Sequence, residues 1–298
     1  MIKRSRCQIC NAKGKRIYST TLKTNNLRNF FFEYYGKKKP VKTFISKIEN
    51  YEYTLLKCDS CEFIWQKNFL NKNFITELYD KLIPPIKSKK KSEKTSRILK
   101  KTYNYEIDLY KNIIGKENIQ ILDYGSGWGF WILSLNYNLK NIFALENSKT
   151  RINHLRKKKI NIIKLNTLNK RNKKFDFIRL EQVLEHLDNF DHVLSSLKKL
   201  ISKDGLIYLS VPNSKILFKK AWRENLLIKG PAQPLEHINS FTTRSLHKLL
   251  MKHKYKTVSP FYLLKAFVDC KKFSFKSIKT TLRILINNIN GTSILFKI

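Results

Sequence analysis

Apolar residues in the middle of this chain come in short runs separated by stretches of helical character. Ile119 to Leu122 is mainly apolar, the mark of a short buried strand, and Trp131-Ile-Leu-Ser-Leu135 opens a helix. The same pattern then recurs. Asn141 to Glu146 reads as a second strand ending in an acid, followed by a basic helical stretch from Ser148 to Lys159. Ile160 to Lys164, Phe175 to Ile178 and Gly205 to Val211 follow as third, fourth and fifth strands, the fifth entered through a helix end and turn at Ser202-Lys-Asp-Gly205. Tyr255 to Leu263 reads as a sixth strand, Phe273 to Ile286 as an amphipathic helix and Ser293 to Ile298 as a closing strand. Such alternation predicts an α/β fold around a largely parallel sheet.

Between the first strand and its helix stands Asp123-Tyr-Gly-Ser-Gly-Trp-Gly129. Gly125, Gly127 and Gly129 permit positive φ and carry no Cβ to hold a ligand off the backbone. A strand, a glycine turn and a helix N-terminus together make a nucleotide crevice. Spacing narrows the choice of nucleotide. A dinucleotide fingerprint would put its third glycine at position 130, which is Phe130, so the run is D-x-G-x-G-x-G. An acid at the strand end suits a positively charged ligand and repels a pyrophosphate.

The loop resembles motif I of class I S-adenosylmethionine-dependent methyltransferases. Glu146 stands where that family keeps the acid that takes both ribose hydroxyls, as a carboxylate can. Phe175-Asp-Phe-Ile178 with Val183-Leu-Glu-His-Leu187, then Asp204-Gly-Leu-Ile207 running on to Ser210-Val-Pro-Asn213, are similar to the family's fourth and fifth strands. The resemblance covers about residues 95 to 298. It implies a Rossmann-like seven-stranded sheet with the last strand antiparallel, and S-adenosylmethionine held by Asp123, Gly125, Ser126, Gly127, Gly129, Glu146, Asn166 and Glu181. The third strand's end, Asn166-Thr-Leu168, lacks the acid usual for the adenine amine, which leaves an amide, a hydroxyl or the backbone to bind it.

Cys7-Gln-Ile-Cys10 and Cys58-Asp-Ser-Cys61 have the spacing of two zinc knuckles. Four thiolates on one ion contribute roughly 10–16 kcal/mol to folding, enough for a module with little core. Disulfides and a redox pair are the alternatives, disfavoured by the expected cytoplasmic setting and by the lack of a βαβ context. The long separation of the knuckles predicts an insertion at Asn25 to Phe44, and Tyr53 to Trp65 reads as a hairpin strand running into the second knuckle. Asn71 to Leu82 reads as a helix stopped at Pro84-Pro85, Lys87 to Lys94 as a charged linker, and Ser96 to Ile114 as a helix over the cofactor mouth. There Tyr103 and Tyr105 either line the mouth or pack. The expected division is a zinc-ribbon-like module and connector over 1–85 and a methyltransferase domain over 86–298, with a substrate-side insertion at about 214–242. A zinc module ahead of such a domain resembles sugar C-methyltransferases of nucleotide-linked keto sugars and related enzymes of polysaccharide pathways. With four cysteines the zinc is structural, because no coordination position stays open.

Methyl transfer to a hydroxyl, or to a carbon beside a carbonyl, needs a base, and histidine titrates near the working pH. His186 lies just past the fourth strand. Glu236 and His237 lie in Gln233-Pro-Leu-Glu-His-Ile-Asn-Ser-Phe-Thr242, which resembles the family's E-H-x-x-x-[FY]-[ST] segment, ahead of a helix from Thr243 to His253. The resemblance is incomplete: Gln233-Pro-Leu235 replaces an aromatic residue before the glutamate, and the long C-terminal domain of those enzymes is missing. Cys270 reads as a small buried hydrophobe.

The formal charge is +38, from 60 Lys and Arg against 22 Asp and Glu. Lys87 to Lys101 is dense in lysine, and no acid occurs from Asn147 to Phe175. Part of this excess is compositional drift, and the remainder favours an anionic small-molecule substrate, such as a nucleotide-linked sugar or a phosphorylated polymer. An RNA methyltransferase gripping phosphates is the first alternative, disfavoured because Leu180-Glu-Gln-Val stands where base-amine methylation needs N/D-P-P-Y/F. A non-catalytic cofactor-binding module is the second. No apolar run approaches the ~20 residues of a membrane span, and no signal segment follows Met1, so the expected location is the cytoplasm.

Overall fold

Strand β1 (Ile121–Tyr124) is buried along its whole length, as a central strand of a parallel sheet must be. A computed structural model describes residues 1–83, 85–164, 174–218, 227 and 230–298 of the chain. The residues fall into two units, one of Met1–Ser88, Leu184–Asp188 and Pro212–Leu249, the other of Lys89–Val183, Asn189–Val211 and Leu250–Ile298.

The second unit carries a seven-stranded sheet. With β1 it holds β2 (Ile142–Leu145), β3 (Asn161–Ile163), β4 (Phe175–Glu181), β5 (Ile201–Ser210), β6 (Lys256–Thr257) and β7 (Ser293–Lys297), in the order β6-β7-β5-β4-β1-β2-β3. Strands β1 to β5 run parallel, while β7 pairs antiparallel with both β5 and β6. This is the seven-stranded Rossmann-like sheet with an antiparallel last strand that the sequence led one to expect. Its core joins Ile121, Ala144, Phe177, Leu206 and Leu295 to Leu109, Tyr110 and Ile114 of the helix Pro85–Ile114.

Three expectations along this unit need correction. The lysine run from Lys87 to Lys94 is helix, not linker, because lysine, serine and glutamate are adequate helix formers and Pro85 stands at the first position. The fifth strand has no turn before it. Helix Phe190–Leu200 passes directly into β5, and a register shift between Ile201 and Leu206 absorbs Asp204 and Gly205. The sixth strand stops after Thr257, because Pro260 opens a helix, Pro260–Asp269. The amphipathic helix that follows spans Phe275–Asn290.

The first unit has its own four-stranded antiparallel sheet, ordered Asn239–Ser240, Ile64–Gln66, Glu52–Lys57, Lys15–Thr21. The expected insertion between the knuckles forms two helices, Asn25–Tyr35 and Lys39–Lys47. They bury Leu27, Phe31 and Phe44 against Tyr51, Tyr53 and Leu55, so the module has a sizeable aromatic core rather than a small one. The segment expected as a substrate-side insertion supplies the edge strand Asn239–Ser240 of this sheet. No helix among the described residues is long and apolar enough to cross a membrane.

The loop glycines serve different ends. A Cβ on Gly129 (φ +70°) would strike Leu155 and come within 2.9 Å of Ile160, whereas one on Gly127 (φ +58°) would meet nothing within 4 Å. Gly129→Ala is therefore expected to cost about 2 kcal/mol or more in denaturant unfolding, and Gly127→Ala about 1 kcal/mol from backbone strain alone. Equal losses would contradict this assignment.

Candidate functional site

In the second unit the chain brings two acids to the glycine turn. Asp123 stands one residue before the end of β1 and is 1% exposed. Its Oδ1 accepts a hydrogen bond from Arg179 Nη1 at 2.9 Å, across the β1–β4 register that sets the two residues side by side. Its Oδ2 is buried with no partner among the described residues, and so is Ser126 Oγ. Arg179 also pairs with Glu181 and lies 4.4 Å from the centre of the Trp131 ring. Burial pushes the Asp123 carboxyl above the usual carboxylate range, although Arg179 opposes the shift. A further positive group at Oδ2 would relieve that cost.

Glu146 follows β2 and closes the other side of the turn. Its Oε2 accepts from the Gly127 N–H at 2.9 Å, and its Oε1 from the N–H groups of Asn147 and Ser148 at 2.8 and 2.9 Å. The carboxylate thus stands at the start of helix Lys149–Lys157 and beside the open face of Gly127. A ligand with an amino group for Asp123, a flat approach over Gly127 and a vicinal diol for Glu146 fits these donors and acceptors. Asn166 lies outside the described residues.

A cavity of about 220 Å³ in the same unit is lined by Arg179, Glu181, Tyr103, Glu106, Tyr208 and Arg283, among others. Burial raises the Tyr103 and Tyr208 hydroxyls to about 12. The Glu106 carboxyl is raised by burial to about 7, even with Arg283 at 2.5 Å.

In the first unit His186, Glu236 and His237 come together. His186 Nδ1 donates to the Glu236 carbonyl at 2.9 Å, and His237 Nδ1 to the Gly230 carbonyl at 2.7 Å. A carbonyl only accepts, so both Nδ1 atoms carry a proton, and the Tyr79 hydroxyl also stands 3.3 Å from His186 Nδ1. The two rings meet edge to face at 4.9 Å, and Glu185 Oε1 lies 4.0 Å from His186 Nε2. The Glu236 carboxylate accepts from Tyr35 OH at 2.8 Å and Gln233 Nε2 at 2.5 Å. Gln233, which replaces an aromatic residue in the sequence pattern, thus orients the glutamate.

The two cysteine knuckles converge as well. Sγ separations are 3.5 Å for Cys7–Cys61, 3.4 Å for Cys10–Cys58 and 3.8 Å for Cys10–Cys61. Disulfides need about 2 Å, while four sulfurs around one zinc stand about 3.8 Å apart. All four cysteines are free, and their ligand atoms lie within 4.8 Å of one another. Each knuckle closes the same way: Asn11 N–H bonds to the Cys7 carbonyl and Glu62 N–H to the Cys58 carbonyl, with Asn11 and Glu62 both left-handed. Hydrogen bonding from Cys61 holds the Cys7 thiol down near 5, and the same contact pushes the Cys61 thiol up. The four sulfurs offer a single metal ion a complete set of ligands.

An acid-tipped glycine turn on a seven-stranded sheet with an antiparallel last strand is the arrangement of the Rossmann-like methyltransferase fold. The family model described as a methyltransferase domain matches residues 76–259. The chain belongs to this family and is an S-adenosylmethionine-dependent methyltransferase. No curated protein matches it in sequence. Among solved structures, the plantazolicin methyltransferase BamL in complex with a triazolic desmethylPZN analog and SAH superimposes with TM-score 0.49 and 16% identity, covering 74% of this chain and 92% of its own. The plantazolicin methyltransferase BpumL with SAH gives 0.47 and 18%, covering 74% and 91%. PKMT2 from Rickettsia typhi with AdoHcy gives 0.41 and 14%, covering 65% and 53%.

Sequence reasoning missed Arg179, Trp131, Tyr35 and Gln233. Arg179 had left a signal, since a lone arginine inside the apolar strand Phe175–Leu180 must be paired. The others act through contacts that no local pattern encodes.

Glu106 supplies a pH test. Its folded-state value is raised, so the folded chain keeps a proton that the unfolded chain releases above about 4.5. This contribution is fully present below 4.5 and is lost as pH rises towards 7. Wild type should therefore lose thermal stability relative to Glu106→Gln across that window. A constant difference between the two would contradict the burial of this carboxyl.

Proposed function

We propose that the enzyme transfers a methyl group to a hydroxyl or carbon acid of a small anionic glycan precursor, such as a nucleotide-linked sugar. The observation that carries this reading is the pair of histidines whose Nδ1 protons are taken up by backbone carbonyls. Such rings are set to accept a proton at Nε2, which an acceptor of this kind must give up. His237 is assigned as the base, His186 as the second ring that orders it, and Glu236 as the anchor of the His186 Nδ1 proton through its carbonyl. The excess of positive charge supports an anionic acceptor.

On the cofactor side, Asp123 Oδ2 would take the amino group, Glu146 the ribose hydroxyls, and Gly125, Ser126, Gly127 and Gly129 would form the cradle. Glu181 keeps Arg179 in place, and Asn166 is assigned to the adenine edge. S-adenosylmethionine, when bound, supplies an electrophilic methyl group for in-line displacement. What the chain contributes is alignment, exclusion of competing charge and removal of the acceptor's proton. Cys7, Cys10, Cys58 and Cys61 are assigned to one structural Zn²⁺.

The test is mass-spectrometric detection of methyl transfer to a panel of nucleotide sugars and of RNA oligonucleotides. A nucleotide sugar should be the acceptor, and His237→Ala should lower kcat by about 10²- to 10⁴-fold without changing S-adenosylhomocysteine affinity. Methylation of RNA alone, or a full rate in His237→Ala, would sink the proposal. Metal analysis should find one zinc per chain. Cys58→Ser/Cys61→Ser should lose it and expose the aromatic core of the first unit to dye, and a metal-free yet fully folded double variant would refute the structural role.

A further inference from the structure

Helix Phe275–Asn290 is turned inside out. Its buried residues are Ser277, Thr280, Thr281, Ile284 and Asn288, mostly polar. Its apolar stripe, Phe275, Ile278, Leu282, Ile286 and Ile289, is exposed, with Phe275 at 83% and Ile286 at 62%. These positions recur at three- and four-residue intervals and so share one face.

The helix cannot roll to hide them. Thr281 Oγ1 meets Tyr105 OH at 2.7 Å, and Arg283 pairs with Glu106 at 2.5 Å. Asn288 spans two strand ends, donating to the Val258 carbonyl and accepting from the Leu295 N–H at 2.6 Å. A Ser274–Ser277 capping box fixes the first turn. Each of these polar anchors would be orphaned if the apolar stripe turned inward, so its exposure belongs to the fold. The preceding helix, Pro260–Asp269, and its connection expose Phe261, Tyr262, Leu264, Val268 and Phe273.

Charge decides the occupant. Between Pro260 and Asn290 lie Lys265, Lys271, Lys272, Lys276, Lys279 and Arg283, against the single acid Asp269. Lys272 and Arg283 are paired with Asp108 and Glu106, and the other four lysines form no ion pair among the described residues. A second copy of the chain would set one cationic face against another. An acyl-chain boundary beneath anionic headgroups satisfies both components, with the stripe entering the boundary and the lysines meeting phosphates. We propose that this helix lies flat on an anionic phospholipid surface and docks the methyltransferase there.

The test is cosedimentation of the full-length, zinc-replete protein with vesicles of phosphatidylcholine alone or with about one third phosphatidylglycerol. Wild type should bind the anionic vesicles at least about tenfold better than the neutral ones, and Leu282→Ser/Ile286→Ser/Ile289→Ser should lose about tenfold or more of that binding. These side chains are solvent-exposed, so the variant should keep its melting temperature. Ile286→Trp gives a second readout, with a blue shift of emission expected on adding anionic vesicles. Three results would overturn the proposal: no wild-type binding, equal binding by the triple variant (charge alone), or a wild-type dimer that the triple variant dissolves.

Discussion

One carboxylate in the centre of the sheet constrains the rest of the methyltransferase unit. Asp123 is buried, and a buried charge persists only when its oxygens are paired. Arg179 takes one oxygen, and the register between β1 and β4 sets it directly beside Asp123. Arg179 is itself costly to bury, and Glu181 and the face of Trp131 hold it. The second oxygen of Asp123 has no partner among the described residues, and the proposed function gives it the cofactor's amino group. The neighbouring turn is bare, with nothing within 4 Å of where a Cβ on Gly127 would stand.

Much of this was legible in the chain. The strand that carries Asp123, the three glycines and the acid just after the next strand form a local pattern, and each sits within a residue of where the pattern puts it. The cysteine pairs were equally readable, because the spacing within each knuckle fixes the turn and two knuckles imply a shared site. Elements settled by tertiary contact were not. Tyr255 to Leu263 has the composition of a strand, yet Pro260 opens a helix that packs on its successor. The lysines from Lys87 to Lys94 look like a linker in isolation and become the solvated start of a helix whose later turns are buried. Nor does any pattern reveal that Phe275–Asn290 would present its apolar stripe outward, because periodicity gives a stripe without saying which way it faces.

The first unit solves a different physical problem. A short sheet with helices between its knuckles builds a core of phenylalanine and tyrosine, and its cysteines gather so closely that their protons compete. The histidines gain their chemical character from backbone carbonyls at Gly230 and Glu236, which fix the tautomer. Sequence could nominate His186 and His237 as bases without indicating that they lie edge to face. It could not assign Gln233 to the glutamate either, since that contact depends on the turn through Leu235, whose φ is +68°.

Isothermal titration of S-adenosylhomocysteine into the wild type, Asp123→Asn and Arg179→Met tests the central claim most directly. Asp123→Asn keeps the shape and removes the charge; Arg179→Met frees the occupied oxygen of Asp123 and removes the counter-ion. The account predicts binding by the wild type and losses of about tenfold or more in each variant, as expected when a buried, charge-assisted contact to a ligand amine is removed or misdirected. Wild-type affinity in Asp123→Asn would contradict it, because the open oxygen of Asp123 would then have no part in holding the cofactor.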